Sequence, residues 1–294
     1  MITPANSSEM VLVRACKQVG LTYEDAALLR AHSASVYLLP RESTVARISS
    51  YEHQGVQAKA SVAIARWLVE QDFPATEPLL DHAIEVDSSV VTFWRYYSQK
   101  GREKPPARAL GLILRRLHGL RPPPFRLPAY QPLMGLLRAL ERPNVLGDDD
   151  RAWLKERAEF LIQQYYQLDS HLGVGFVHGD AYRGNTLWGP HGVLLGDWDE
   201  ASVAPRELDL VNIYQGVRYG VSDDVFDEFT AAYGWDVREW SGFTVLREMR
   251  DLHTLTGFVR RSVAEPGAAE ELRRRTESLR YPKPEAGVLW RSST

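Results

Sequence analysis

Apolar and polar positions alternate with a period of two in the early part of the chain. Residues 35–39 and 44–49 flank Pro40-Arg41-Glu42-Ser43 and predict a β-hairpin, and residues 84–86 and 90–94 predict another across Asp87-Ser88-Ser89. Between them the period lengthens to that of a helix. Residues 56–71 place Val56, Ala60, Ala63, Ile64, Trp67 and Leu68 on one face. Ahead of the first hairpin, Ser7 or Ser8 caps a helix running to Val19 and stopped by Gly20. Thr22 with Asp25 makes a capping-box-like start to a second helix over 23–30.

After residue 101 the pattern is helical. Residues 107–120 are amphipathic, 121–132 form a Pro-rich connection, and 133–140 make a short helix. Asp148-Asp149-Asp150 opens a long helix over 148–172, where acids complement the positive end of the macrodipole. Helices follow over 208–219, 222–233, 237–263 and 267–279, the last with Arg273-Arg274-Arg275 on a solvated face. The helical part is interrupted by three short strands: Phe176-Val177, Thr186 to Trp188 and Val193 to Leu195. The pattern predicts a small mixed N-terminal lobe over residues 1–95, a hinge at 96–101 and a larger helical lobe over 102–294. No repeat or low-complexity segment is visible.

Composition narrows the classes. With 294 residues and 44% apolar content the chain can bury a substantial core. A net charge of −3 and a pI near 6.3 give no basic footprint for nucleic acid. Cys16 has no intrachain partner and reads as a small buried apolar residue in a reducing compartment. The first 20 residues lack the charged and apolar regions of a signal peptide, and no apolar run approaches the ~20 residues of a spanning helix. The expectation is a cytoplasmic protein without a membrane or nucleic-acid partner.

The chemistry concentrates in FVHGDAYRGNTLWGPHGVLLGDWD, residues 176–199. The first strand runs into a His178-Gly179-Asp180 turn, Asn185 follows five residues later, and the next hairpin delivers Asp197 and Asp199. Four oxygen-bearing side chains converging on one rim suit a hard divalent cation, with Mg2+ the expectation, which keeps waters and shares its other positions with phosphates. A metallohydrolase cluster of His178, Asp180, Asp197 and Asp199 fits less well, since it lacks the second His expected of zinc sites.

HGDxxxxN followed by DWD, with PRELDL six residues beyond, resembles the aminoglycoside phosphotransferase and choline kinase family. The resemblance covers essentially the whole chain and implies an α+β, two-lobed, protein-kinase-like fold, with an antiparallel sheet in the small lobe and nucleotide between the lobes. It implies Mg2+-dependent transfer of the γ-phosphate of ATP or GTP to a hydroxyl of a small molecule. Asp180 is then the catalytic base, Asn185 and Asp197 are metal ligands, and Arg183 is either a phosphate-facing cation or a surface ion pair. His178 holds the loop. Asp209, in PRELDL, is similar to the family's buried acid that accepts backbone N–H groups of the catalytic loop. Asp199 either backs the metal ligands, positions the base loop or touches substrate, or is a hairpin-end acid that bonds backbone. Ser33 and Ser35 lie where phosphate-facing amides would sit, and backbone groups around Tyr96 and Tyr97 are where a purine would bond.

Two residues depart from the family pattern. The nucleotide-binding Lys appears as Arg47, and the helix that should supply its Glu carries Ser61 at that place, with no acid between residue 56 and Glu70. Arg is always charged and grips two oxygens, so it replaces the Lys without needing a carboxylate to stay protonated. On this reading its anionic neighbours are nucleotide phosphates and Asp197, and Ser61 is silent. The same departures admit a nucleotide-binding pseudokinase with a regulatory role.

Overall fold

The computed structural model describes residues 4–31, 34–282 and 289–291. Their contacts divide into two compact units. The first comprises the described residues of Met1–Pro105, Gly119–Leu127 and Arg183–Ala201; the second, those of Pro106–His118, Pro128–Tyr182 and Ser202–Thr294.

The first unit begins with helix α1 (Pro4–Val19), which Gly20 ends at φ +73°. Five strands follow: β1 (Ala27–Ala31), β2 (Ser35–Leu39), β3 (Thr44–Ser50), β4 (Ile84–Val86) and β5 (Ser89–Arg95). They form an antiparallel sheet in the order β1-β2-β3-β5-β4. Alternate residues of β2, β3 and β5, among them Tyr37, Leu39, Ala46, Ile48, Val91 and Phe93, bury against Leu12, Ala15 and Cys16 of α1. Cys16 is free and buried, and burial raises its thiol pKa to about 11.

Helix α2 (Tyr51–Glu70) crosses from β3 to β4. The hairpin of β7 (Thr186–Trp188) and β8 (Val193–Leu195) also belongs to this unit. It is anchored by Leu195 N–H donating to Pro74 O at 2.8 Å and Thr76 N–H to Leu195 O at 3.1 Å. The Gln99 side-chain amide bonds both the N–H and the C=O of Trp188, at 2.9 and 3.0 Å.

The second unit is mostly helical: α3 (Ala107–His118), α4 (Met134–Leu140), α5 (Asp148–Tyr165), α6 (Glu207–Val211), α7 (Asp223–Tyr233), α8 (Phe243–His253), α9 (Leu255–Arg261) and α10 (Pro266–Arg280). Its two-stranded ribbon pairs β6 (Val174–Val177) with β9 (Ser202–Pro205). No helix among the described residues is long and apolar enough to cross a membrane.

Several expectations are corrected. The helix predicted over 23–30 is edge strand β1, because the β2 backbone offers Ala27 to Ala31 a ladder that outweighs a weak capping signal. Helix α2 starts earlier and is partly rotated: Ile64 and Leu68 are buried as expected, but so are Ala58, Ser61, Val62 and Ala65, whereas Val56 is 69% exposed. The helix predicted over 148–172 ends at Tyr165. That predicted over 237–263 is broken into a 3-10 turn, α8 and α9. Arg275 is not solvated. It is 1% exposed, pairs with Glu271 at 2.7 Å and lies over the rings of Phe258 and Trp290 at 4.2 and 4.5 Å.

Candidate active site

The motif residues fall into both units, and each group has its own electrostatic logic. In the second unit, strand β6 leads into the His178-Gly179-Asp180 turn, with Gly179 at φ +84°. Asp209 of α6 fixes that turn from beneath. Its fully buried carboxylate accepts the N–H of His178 and of Gly179, each at 2.8 Å, and His118 Nε2 lies 3.2 Å from it. Two backbone N–H groups on one carboxylate are charge-assisted bonds that hold a loop more firmly than neutral ones. Asn212 Nδ2 donates to Gly179 O at 3.3 Å, and Asp180 N–H donates to His178 Nδ1 at 3.2 Å. His178 is wholly buried within the loop, and His118 also meets the Tyr233 hydroxyl at 2.9 Å.

Asp180, held this way, faces a cation that the sequence did not disclose. Arg250 of α8 donates through Nη1 to Asp180 Oδ1 at 2.5 Å. Burial pushes the Asp180 carboxyl upward, but Arg250, His253 and His178 outweigh it and hold the group below the usual carboxylate range. His253 stands one helical turn from Arg250. Burial, with Arg250 beside it, lowers its pKa to about 4, so the imidazole is neutral at neutral pH. The Arg250 guanidinium also lies over the ring of Tyr182, 5.7 Å from its centroid.

In the first unit the centre is Arg47. It sits on β3 opposite Val36 of β2 and Thr92 of β5. Nη1 donates to Asp197 Oδ1 at 3.0 Å, and Nη2 lies 2.6 Å from Asp199 Oδ2. The departure at position 61 acquires a physical account here. Ser61 of α2 is buried, its hydroxyl donates to Ala58 O at 2.9 Å, and it lies close enough to Asp199 to draw that carboxyl's pKa downward. The counter-ion that the helix lacks is therefore furnished by the second acid of DWD, steadied by the helix hydroxyl. Burial, with Asp197 adding to it, pushes the Asp199 carboxyl up; Arg47 and Ser61 pull it back without restoring the ordinary value.

Asn185 and Asp197 flank the open end of the β7–β8 hairpin, where Gly196 N–H donates to Asn185 O at 2.9 Å. Asp197 adopts φ +63°, ψ +64°, a left-handed conformation that costs a residue with a side chain ~1–2 kcal/mol. Gly196 beside it has no room for a side chain: a Cβ would lie 2.9 Å from Thr76 Cγ2. One carboxylate and one amide oxygen are hard donors that fit Mg2+ when phosphates and water complete its shell. Among the described residues no group of three or more His, Cys, Asp or Glu side chains is placed to hold a metal, so any cation here depends on oxygens from elsewhere.

The remaining predicted residues are less tightly drawn in. Arg183 Nε donates to Pro105 O at 3.1 Å, which ties the start of the hairpin segment to the stretch after β5. Ser33 lies outside the described residues. Ser35 begins β2 opposite Ile48. The Tyr96 N–H is committed to Ser43 O at 2.8 Å, so a purine would be met by other backbone groups of this stretch. The Tyr97 hydroxyl accepts the Glu77 N–H at 3.3 Å, and burial raises its pKa. Sequence reasoning missed Arg250, His253 and Gln99. The one available signal for the first two was their i, i+3 spacing in MRDLH, which has no motif attached to it.

Comparison with known proteins bears on this arrangement. Residues 27–248 match the model of a phosphotransferase enzyme family. No curated protein matches the sequence. An amicoumacin kinase solved with AMP-PNP, Ca2+ and Ami superposes with a TM-score of 0.69 at 14% identity, covering 97% of this chain and 99% of that one. A microcompartment-associated aminopropanol kinase gives 0.66 at 13% identity, covering 95% and 99%. The aminoglycoside phosphotransferase APH(3'')-Id from Streptomyces rimosus gives 0.63 at 18% identity, covering 83% and 98%. These likenesses show a kinase-like fold, and the family match, which spans well over half of the chain, shows that this protein belongs to the phosphotransferase enzyme family.

Proposed function

We propose that the protein transfers the γ-phosphate of ATP or GTP to a hydroxyl of a small molecule, with Mg2+ as the metal. The observation that carries this reading is the Asp180 loop, hung on Asp209 by two N–H bonds of 2.8 Å. Such suspension fixes a carboxylate where a hydroxyl can be oriented before it reacts. Asp180 accepts the acceptor's proton as the acceptor oxygen forms its bond to the γ-phosphorus and the β–γ bridging bond breaks. The nucleoside diphosphate leaves with that bridging oxygen. Asn185 and Asp197 hold the metal, which supplies charge neutralisation at the phosphates.

Arg47 meets phosphate oxygens with the fork that now engages Asp197 and Asp199. Ser33, Ser35 and backbone groups near Tyr96 and Tyr97 line the nucleotide, while Arg183 stands by the transferring phosphate. The fold relatives include an amicoumacin kinase, an aminopropanol kinase and an aminoglycoside phosphotransferase solved with ADP and streptomycin, which supports a small-molecule alcohol as acceptor. A cytoplasmic setting suits such a donor.

One observation favours a second reading. Arg47 already engages two acids, as it would in a pseudokinase that binds nucleotide without turnover. Incubation with ATP or GTP, Mg2+ and an alcohol panel decides between them. Phosphate transfer that depends on an acceptor supports the kinase, and nucleotide binding without transfer to any acceptor supports the pseudokinase.

A further inference from the structure

We propose that the acceptor alcohol carries its own oxyanion, a carboxylate or a phosphate, and that Arg250 receives it; this rests on the phosphotransferase reading above. The argument starts from charge. The strongest electrostatic influences on Asp180 come from Arg250, His253 and His178, not from another carboxylate. Several acids that the second unit might turn toward an amine are spent elsewhere. Glu207 accepts the Leu172 N–H and the Ser170 hydroxyl, each at 2.7 Å. Asp251 is bound by Arg218 at 2.8 Å, and Asp227 and Asp236 are bound by Arg238. Glu248 pairs with Arg157. An ammonium group brought to Asp180 would displace Arg250 and then sit beside it, a like-charge contact in a poorly solvated place.

An oxyanion meets the opposite situation. The Arg250 side chain is nine-tenths buried, one of its nitrogens holds Asp180, and its Nε has no hydrogen-bond partner among the described residues. A buried guanidinium N–H left unpaired is costly, and a planar oxyanion is the group whose geometry matches the fork. Binding of the acceptor's carboxylate or phosphate draws Arg250 away from Asp180 as the acceptor's hydroxyl takes its place on the freed carboxylate oxygen. The base is thus paired in the resting protein and released by a substrate of the right charge. Arg250 acts as a specificity residue, and His253, neutral beside it, adds no second positive charge to compete for the anion.

The test uses the full chain as wild type, Arg250→Gln and Arg250→Lys. Calorimetry with nucleotide and Mg2+ comes first, because it reads nucleotide binding, on which the phosphotransferase reading depends, independently of any acceptor. Turnover is then measured on glycerate, glycerol phosphate, glyceramide, glycerol, aminopropanol and streptomycin. The expected result is a preference for glycerate or glycerol phosphate over their uncharged partners. Arg250→Gln should raise KM for the oxyanions by ~10- to 100-fold more than it raises that for glycerol, and Arg250→Lys should fall between. The two oxyanion arms distinguish a carboxylate from a phosphate. A preference for aminopropanol or streptomycin overturns the inference, as does an Arg250→Gln protein with unchanged KM. So does a protein that binds nucleotide and turns over neither oxyanion. Loss of nucleotide binding in every form, wild type included, sinks the phosphotransferase reading and the inference with it.

Discussion

The two charged clusters solve opposite problems with the same pair of residue types. Around Arg47 one buried cation serves two carboxylates, Asp197 and Asp199, so the cluster retains a negative charge able to attract a metal. Around Asp180 one carboxylate serves one buried cation, Arg250, while the neighbouring His253 is kept neutral, so the Asp180–Arg250 pair carries no net charge. The first is unbalanced toward binding a cation. The second is balanced at rest and is unbalanced only when something competes for one partner. A buried pair is weak evidence of added stability, because desolvation offsets much of the attraction. Both clusters are better understood as charges held in position for a ligand.

The largest effect should come from removing the carboxylate of the balanced cluster. Asp180→Asn should lower turnover by the ~10²–10⁴-fold associated with a general base, while nucleotide affinity, proposed to rest on the other cluster, should hold. Steady-state kinetics with a turned-over acceptor, alongside calorimetry with nucleotide, checks both halves. Full retained activity would remove Asp180 from the role of base.

Next in size is the cation of the unbalanced cluster. Arg47→Ala leaves Asp197 and Asp199 facing each other without compensation and should cost nucleotide binding or turnover the ~1.5–3 kcal/mol of a lost charged hydrogen bond. Arg47→Lys should recover part of it, since a point charge reaches one acid well and not two at once. Indifference to Arg47→Ala in both binding and kinetics would make the double ion pair a structural feature alone.

These two clusters were unequally legible in the sequence, and the reason is distance along the chain. HGDxxxxN, DWD and PRELDL carry fixed spacings, so Asp180, Asn185, Asp197 and Asp209 could be singled out before any geometry was known. Both hairpins of the five-stranded sheet and that of β7 and β8 followed from period-two alternation bounded by turn residues. Arg250 meets Asp180 across 70 residues, and no local pattern announces such a contact. Edge strand β1 and ribbon strand β9 were missed for a similar reason, since each is defined by the partner it bonds. The phase of α2 was misread because small residues surround its buried face, and that error hid the meeting of Ser61 with Asp199.

The third prediction concerns pH and the balanced cluster. An ordinary imidazole has a pKa of 6.5, and that of His253 in the folded protein is about 4. As pH falls below 6.5 the unfolded chain therefore takes up a proton that the folded one refuses. Stability should decline across that window and level off below pH 4, with a total of roughly 3 kcal/mol. His253→Gln should flatten this part of the profile, as read by denaturant titration at successive pH values. An unchanged slope in the variant would show that His253 is protonated in the folded protein, and the cluster would then carry a net positive charge at acid pH.

The smallest effect tests how the unbalanced cluster is trimmed. Ser61 has one hydroxyl proton and two acceptors in reach, Ala58 O at 2.9 Å and the Asp199 carboxylate. If the proton is spent wholly on Ala58, Ser61→Ala removes a bond that the helix backbone barely needs, and the substitution is silent. If Asp199 receives it part of the time, the buried carboxylate loses a donor, and Arg47 is left to balance both acids unaided. The expected cost is then roughly 1 kcal/mol, the net worth of an ordinary hydrogen bond, seen as weaker nucleotide binding rather than as unfolding. A double-mutant cycle with Asp199→Asn separates the two cases. Independent sites add to within ~0.5 kcal/mol, whereas a shared bond leaves a coupling above that. Strict additivity would mean that Ser61 is only a small residue filling the place of a larger one, and that Asp199 alone took over the pairing role the helix gave up.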